Sequence, residues 1–282
     1  MQFGRTYSLA RLATGLILLL PTLTGADDSQ NQPDPDAIMQ RIRDRVAQHL
    51  AHLPSYTCME VVDRWLRRNG TSSLDPVDRI KFEVAFVGNR EYFAPLGGAR
   101  FEEGSITKMV PGGTIGNGAF GGHVTAVFDT DSATYKFVAP AKKDGHKTYR
   151  YDFTVPQEKS HFLVIGTGRG MVGFKGSFWV DDQTYDLVRM ELKVENIPAY
   201  IGVRLLQESM QYSTIKIGDS DFLLARKSEM VAIDQAGNYS LNLVNLQDCH
   251  EFRGDSVVTY GAPVNTNSPD TNSADRQAPP DH

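Results

Sequence analysis

The sequence predicts a mainly β, α+β fold: one large curved antiparallel sheet or unclosed β-barrel of about ten strands. An N-terminal helix and a second helical segment are expected to cover its concave face. Three observations carry this. From Tyr56 onward apolar and polar residues alternate with period two, the mark of strands with one buried face. Turn chemistry recurs at hairpin spacing, as at Lys143-Asp144-Gly145, Gly218-Asp219-Ser220-Asp221 and Asp234-Gln235-Ala236-Gly237. Ahead of the alternation, Ile38, Ile42, Val46, Leu50 and Leu53 recur at helical spacing.

The clearest element is the hairpin within Gly173 to Ile197. Val188, Met190, Leu192 and Val194 alternate with Arg189, Glu191, Lys193 and Glu195, so one face should be buried and the other wet. Phe178-Trp179-Val180 leads in with bulky residues that favour strands, and Asp181-Asp182-Gln183-Thr184 supplies the turn. One wet face suits an antiparallel sheet better than a parallel sheet covered on both sides.

At the start, residues 1–26 read as a cleaved export signal. Arg5 and Arg11 precede the apolar run Leu16 to Leu20, and Thr24-Gly25-Ala26 offers small residues for cleavage. The run is too short, and too interrupted by Gly15 and Pro21, to span a bilayer, so no stable membrane anchor is expected. Residues 27–34 form a polar lead-in, 35–260 a single domain, and 261–282 a tail nearly devoid of apolar residues. Removing Arg5 and Arg11 leaves 27 basic against 34 acidic residues, a formal net charge of −7. Such a chain repels phosphate backbones, which argues against nucleic acid as a partner. Export to the periplasm or beyond places Cys58 and Cys249 in an oxidising compartment, where they are expected to pair; two separate buried thiols are the alternative.

The helix of residues 36–53 is capped by Asp34 or Asp36, with Pro35 near its first position, and ends at Pro54. Strands are expected at 56–68, 79–88, 90–94, 134–139, 147–155, 161–166, 204–217, 222–233 and 239–252, with a further short strand at 256–260. Residues 101–110 are ambiguous, and a glycine-rich loop from residue 111 leads to a helix over 119–128.

Chemical motifs are sparse. Gly168 to Gly173 and Gly116 to Gly121 both match GxGxxG, but the first runs into a strand and the second lacks a βαβ unit, so neither offers a dinucleotide site. No GxSxG elbow occurs, and Ser160 beside His161 lacks an orienting partner. The acid pairs Glu102-Glu103 and Asp181-Asp182 are adjacent and point apart in a strand. His49 and His52 sit three apart on the helix without a third metal ligand. No catalytic residue, metal or cofactor is assigned, and the reading is of a protein that is not an enzyme.

The segment Phe178-Trp179-Val180-Asp181-Asp182-Gln183-Thr184-Tyr185-Asp186-Leu187-Val188-Arg189-Met190 resembles a hairpin of the lipoprotein-carrier superfamily of periplasmic LolA, LolB and RseB proteins. Tyr56-Thr57-Cys58 and Cys249-His250-Glu251-Phe252 also resemble a secreted bacterial branch near this superfamily. The resemblance implies an unclosed barrel enclosing an apolar cavity for acyl chains of a lipid or lipoprotein. On that reading Ile42, Val46, Phe120 and Val124 on the two lids, with Phe178, Val188, Met190, Leu192 and Val194 on the sheet, line the cavity. The Gly112 to Gly122 stretch would let the second lid move. The competing expectation is a filled core, which would make the chain an envelope scaffold or a sensor module with a protein partner.

Overall fold

Among the described residues the alternating segments form one antiparallel sheet of eleven strands. The computed structural model describes residues 34–252, apart from 89, 99, 104, 105, 111, 117, 119, 120, 129, 130 and 195. The chain divides into two units, Met1–Asp34 and Pro35–His282, and the sheet belongs to the second. The expected export segment, the strand at 256–260 and the tail lie outside the described residues.

In chain order, helix α1 (Pro35–His52) precedes β1 (Tyr56–Arg67), β2 (Asp75–Val87), β3 (Arg90–Pro95) and the two-residue β4 (Glu102–Glu103). Two short helices follow, α2 (Ile106–Met109) and α3 (Gly122–Phe128). Next come β5 (Thr134–Lys143), β6 (His146–Val155) and a separate small hairpin of β7 (Leu163–Ile165) and β8 (Arg169–Met171). The meander closes with β9 (Phe174–Asp181), β10 (Leu187–Val194), β11 (Val203–Ile217), β12 (Ser220–Asp234) and β13 (Tyr239–Glu251). In the spatial order β4-β3-β2-β1-β13-β12-β11-β10-β9-β6-β5, β4 and β5 stand at opposite edges, so the sheet is unclosed. β1 lies between β2 and β13, which brings the first and last strands together in mid-sheet.

Period two decides which side of each strand faces the core. Phe82, Val84 and Phe86 on β2, Tyr151, Phe153 and Val155 on β6, and Phe174, Phe178 and Val180 on β9 all join one continuous buried cluster. α1 lays Ile38, Met39, Ile42 and Val46 on this face, and α3 adds Val124, Val127 and Phe128. Aromatic contacts fix α3 against the sheet: the Phe128 ring meets Phe178 at 5.0 Å, and Tyr151 stacks on Phe178 at 5.5 Å. The Tyr151 hydroxyl donates to the Pro35 carbonyl at 2.6 Å, tying the start of α1 to β6.

The β9–β10 hairpin carries the expected turn. Asp181 Oδ1 accepts the N–H groups of Gln183 and Thr184 at 3.0 and 3.1 Å, and Tyr185 takes a left-handed φ of 61°. Gly176 sits where a Cβ would stand 1.9 Å from the Glu191 carbonyl oxygen, so the strands approach as only glycine permits. One feature departs from strict alternation. Leu187 pairs with Val180 and Arg189 with Trp179, so two residues of β10 oppose one of β9. Through that bulge Leu187 enters the core cluster, while Val188 is buried outside it.

Cys58 and Cys249 form a disulfide across the β1–β13 seam, with Cα atoms 4.1 Å apart and a sequence separation of 191. It lies at a register shift in which Thr57 pairs with His250 and Met59 with Gln247.

Candidate functional site: a small apolar cavity beneath the first helix

A cavity of about 40 Å3 lies between the second half of α1, helix α3 and the sheet. Val46, Leu50 and Leu53 line it from α1, and Val124 lines it from α3. The sheet contributes Leu187, Tyr212, Leu223 and Leu224, while His49 and Tyr185 stand at the side of the hairpin turn. The volume is about that of one water and far below the roughly 300–1,000 Å3 of an open ligand pocket.

Polar contacts latch α1 over the cavity. Arg45 Nε donates to Asp186 Oδ1 at 2.6 Å, the His49 ring meets the same oxygen at 2.7 Å, and Arg41 donates to the Tyr185 hydroxyl at 2.9 Å. Burial by itself would raise the Asp186 pKa. The hydrogen bonds from Arg45 and His49, and their charges, outweigh it and hold this carboxyl below its ordinary value of 3.8.

The same inner face carries a second, polar set of residues. Glu208 on β11 accepts from Ser228 Oγ at 2.6 Å and pairs with His123 Nε2 of α3 at 3.0 Å. Arg64 on β1 makes a bidentate pair with Asp78 at 2.7 and 2.6 Å and donates to the Gly112 carbonyl at 2.5 Å. Glu91 accepts the N–H groups of Gly118 and Gly121 at 2.7 and 3.1 Å. The glycine-rich loop thus cradles an internal carboxylate, and those two amides are not free to hold a phosphate. Glu60 is 2% exposed on the Cys58 and Val62 face; burial, then the nearby Glu91 and Glu208, push its carboxyl well above the ordinary 4.5. Glu208 connects Ser228 and His123 as an acceptor from both sides, so the histidine does not face the serine as a base would.

The chain is similar to several solved structures at low sequence identity. An outer membrane lipoprotein-sorting protein domain from Vibrio parahaemolyticus shares 14% identity over 77% of this chain and 92% of its own, at a TM-score of 0.40. A LolA superfamily protein from Nitrosomonas europaea shares 12% over 79% and 97%, at 0.39. A DUF1329 family protein from Desulfovibrio piger shares 12% over 78% and 93%, at 0.42. No family model matches the chain, and no curated protein does.

Of the residues nominated from sequence, Val46 and Val124 line the cavity. Ile42, Phe178, Met190, Leu192 and Val194 belong to the packed core, Val188 is buried beside it, and Phe120 lies outside the described residues. Leu187, Tyr212, Leu223 and Leu224 were not nominated. The alternation Leu206, Glu208, Met210, Tyr212 already placed Tyr212 on the apolar face, and it was the readable signal. His49 and His52 part company: the first reaches Asp186 and the second the Gln48 carbonyl oxygen at 2.7 Å. Among the described residues no group of three or more His, Cys, Asp or Glu is placed to hold a metal ion, and no helix is long and apolar enough to cross a membrane.

Proposed function

We propose that the chain is an exported, non-enzymatic binding protein that takes an apolar chain, such as the acyl chain of a lipid or lipoprotein, between α1, α3 and the inner face of the sheet. The observation that carries this is the apolar cavity whose roof is a helix held at its rim by charged contacts to Asp186. Loading requires α1 to lift. Freeing Ile38, Met39, Ile42 and Val46 from the core costs roughly 6–12 kcal/mol, at about 1.5–3 kcal/mol per side chain. A ligand of about 12 methylenes returns about 10 kcal/mol at about 0.8 kcal/mol each. The exchange is nearly balanced, as a protein that loads and unloads needs.

The rim supplies the test. Diphenylhexatriene, a fluorescent hydrocarbon, should bind the wild type at micromolar concentration, and Asp186→Asn, which unlatches Arg45 and His49, should take it up faster while melting at a lower temperature. If neither protein takes up the probe, the core is filled and the carrier reading is lost.

A second reading has its own observation. The outer face of β6, β9, β10, β11 and β12 carries an open groove of about 630 Å3 lined by side chains of both signs, including Arg150, Asp152, Lys175, Glu191, Lys193 and Glu229. A groove of this kind suits a polar protein partner in the envelope. On that reading charge reversal at Lys193 abolishes capture of a defined envelope partner while probe uptake is absent throughout.

A further inference from the structure

Among the described residues, the buried polar atoms that lack a hydrogen-bond partner include the hydroxyls of Tyr56 and Tyr212. Of these two residues Tyr212 lines the cavity beneath α1. The other side chains lining the cavity are mostly apolar, Val46, Leu50, Leu53, Val124, Leu187, Leu223 and Leu224, and Glu208 lies near enough for its charge to act on the Tyr212 phenol. The two other polar side chains of the lining are engaged at the rim, His49 with Asp186 and Tyr185 with Arg41. A buried hydroxyl without a partner is costly, by about 1–3 kcal/mol, and a phenylalanine would fill the same space without that cost.

We infer that Tyr212 determines ligand specificity: its hydroxyl donates a hydrogen bond to an acceptor oxygen on the bound apolar chain, so that an ester or a carboxylic acid is preferred over a plain hydrocarbon. The inference rests on the apolar-chain reading above. Burial, and then the neighbouring Glu208, raise the Tyr212 phenol above its ordinary value, so it keeps its proton and remains a donor at every pH at which the protein is folded and soluble. The apolar walls contribute affinity that does not distinguish one chain from another, whereas the single donor rewards an acceptor and leaves a hydrocarbon with an unmatched hydroxyl.

The test compares two fluorescent probes on the wild type and Tyr212→Phe: methyl cis-parinarate, which carries an ester, and diphenylhexatriene, which carries no acceptor. Tyr212→Phe should lose about tenfold in affinity for the ester, bind the hydrocarbon as the wild type does, and melt no lower than the wild type. Equal binding of the ester by both proteins overturns the inference and leaves the apolar-chain reading standing, and so does an equal loss for both probes, which marks Tyr212 as packing alone. Uptake of neither probe by the wild type overturns the apolar-chain reading, and this inference falls with it.

Discussion

Replacing Glu60 with glutamine should flatten the pH dependence of stability. Glu60 is buried on the inner face, where burial and the carboxylates of Glu91 and Glu208 raise its folded pKa well above the unfolded value near 4.5. Around it also stand the Tyr56 phenol, whose own rise owes first to burial and then to Glu91, the Arg64–Asp78 pair on the same face, and His123 against Glu208. A carboxyl with a raised folded pKa stabilises the fold fully below its unfolded pKa and loses that contribution as pH climbs toward the folded one. In that window the unfolded chain has released a proton that the folded chain retains, so wild-type stability falls by about 1.4 kcal/mol per pH unit from this group. The glutamine amide cannot titrate, and every other group is common to the two proteins. The stability of Glu60→Gln relative to the wild type should therefore rise as pH climbs above about 4.5, by up to about 1.4 kcal/mol per pH unit until Glu60 ionises in the folded protein, or about 4 °C in Tm per unit for a domain of this size. Thermal melts followed by circular dichroism at half-unit pH steps provide the measurement. Any fixed cost of fitting the amide shifts the whole curve and leaves its slope untouched. Parallel curves across the range would show that Glu60 titrates as an ordinary exposed acid and refute the burial argument.

Other expectations are more local. Gly176→Ala should cost several kcal/mol, because a Cβ would stand 1.9 Å from the Glu191 carbonyl oxygen and 2.8 Å from the Phe153 ring; a urea midpoint within error of the wild type would contradict it. Met190→Asp, at a fully buried position, should cost more than about 3 kcal/mol at about neutral pH, whereas Glu191→Ala should cost about 0.5 kcal/mol because it gives up only the partly exposed pair with Lys143. Equal effects in chemical melts would mean the face assignment of β10 is wrong. Replacing both Cys58 and Cys249 by serine should lower stability by up to about 5 kcal/mol, since the bond closes a very long loop, and an unchanged urea midpoint would show that the bond adds nothing to stability.

Much of the architecture was legible because it rests on local rules. The stripe Ile38, Ile42, Val46 yields α1, and Val84, Phe86 and their neighbours yield strands that pack on one side. The disulfide was legible from the count of cysteines and an oxidising destination. The bulge at Leu187 was not, because the choice between Leu187 and Val188 for the inner face is made by pairing with Val180 and Trp179 on another strand. Nor was the polar set on the inner face. Glu60 shares a period with Cys58 and Val62, and Glu208 with Leu206 and Met210, so the sequence placed acids on the buried side; what makes Glu208 tolerable is His123, which is 85 residues away in the chain. The cavity depended on how closely α1 seats over the sheet, a question of side-chain fit that spacing does not settle.

The bond between Cys58 and Cys249 turns the strands from β1 to β13 into a covalent ring. The ring cannot part at the mid-sheet seam where the first and last strands meet, and the free edges of the sheet at β4 and β5 lie away from it. α3 belongs to the ring, whereas α1 precedes Cys58 and hangs outside it, joined by Leu53, Pro54 and Ser55. Of the two roof helices, α1 alone can swing away without pulling on the closed circuit. The chain thus separates a part whose shape is locked by oxidation from a part left to move, and reduction would add freedom at the seam while leaving the freedom of α1 where it was.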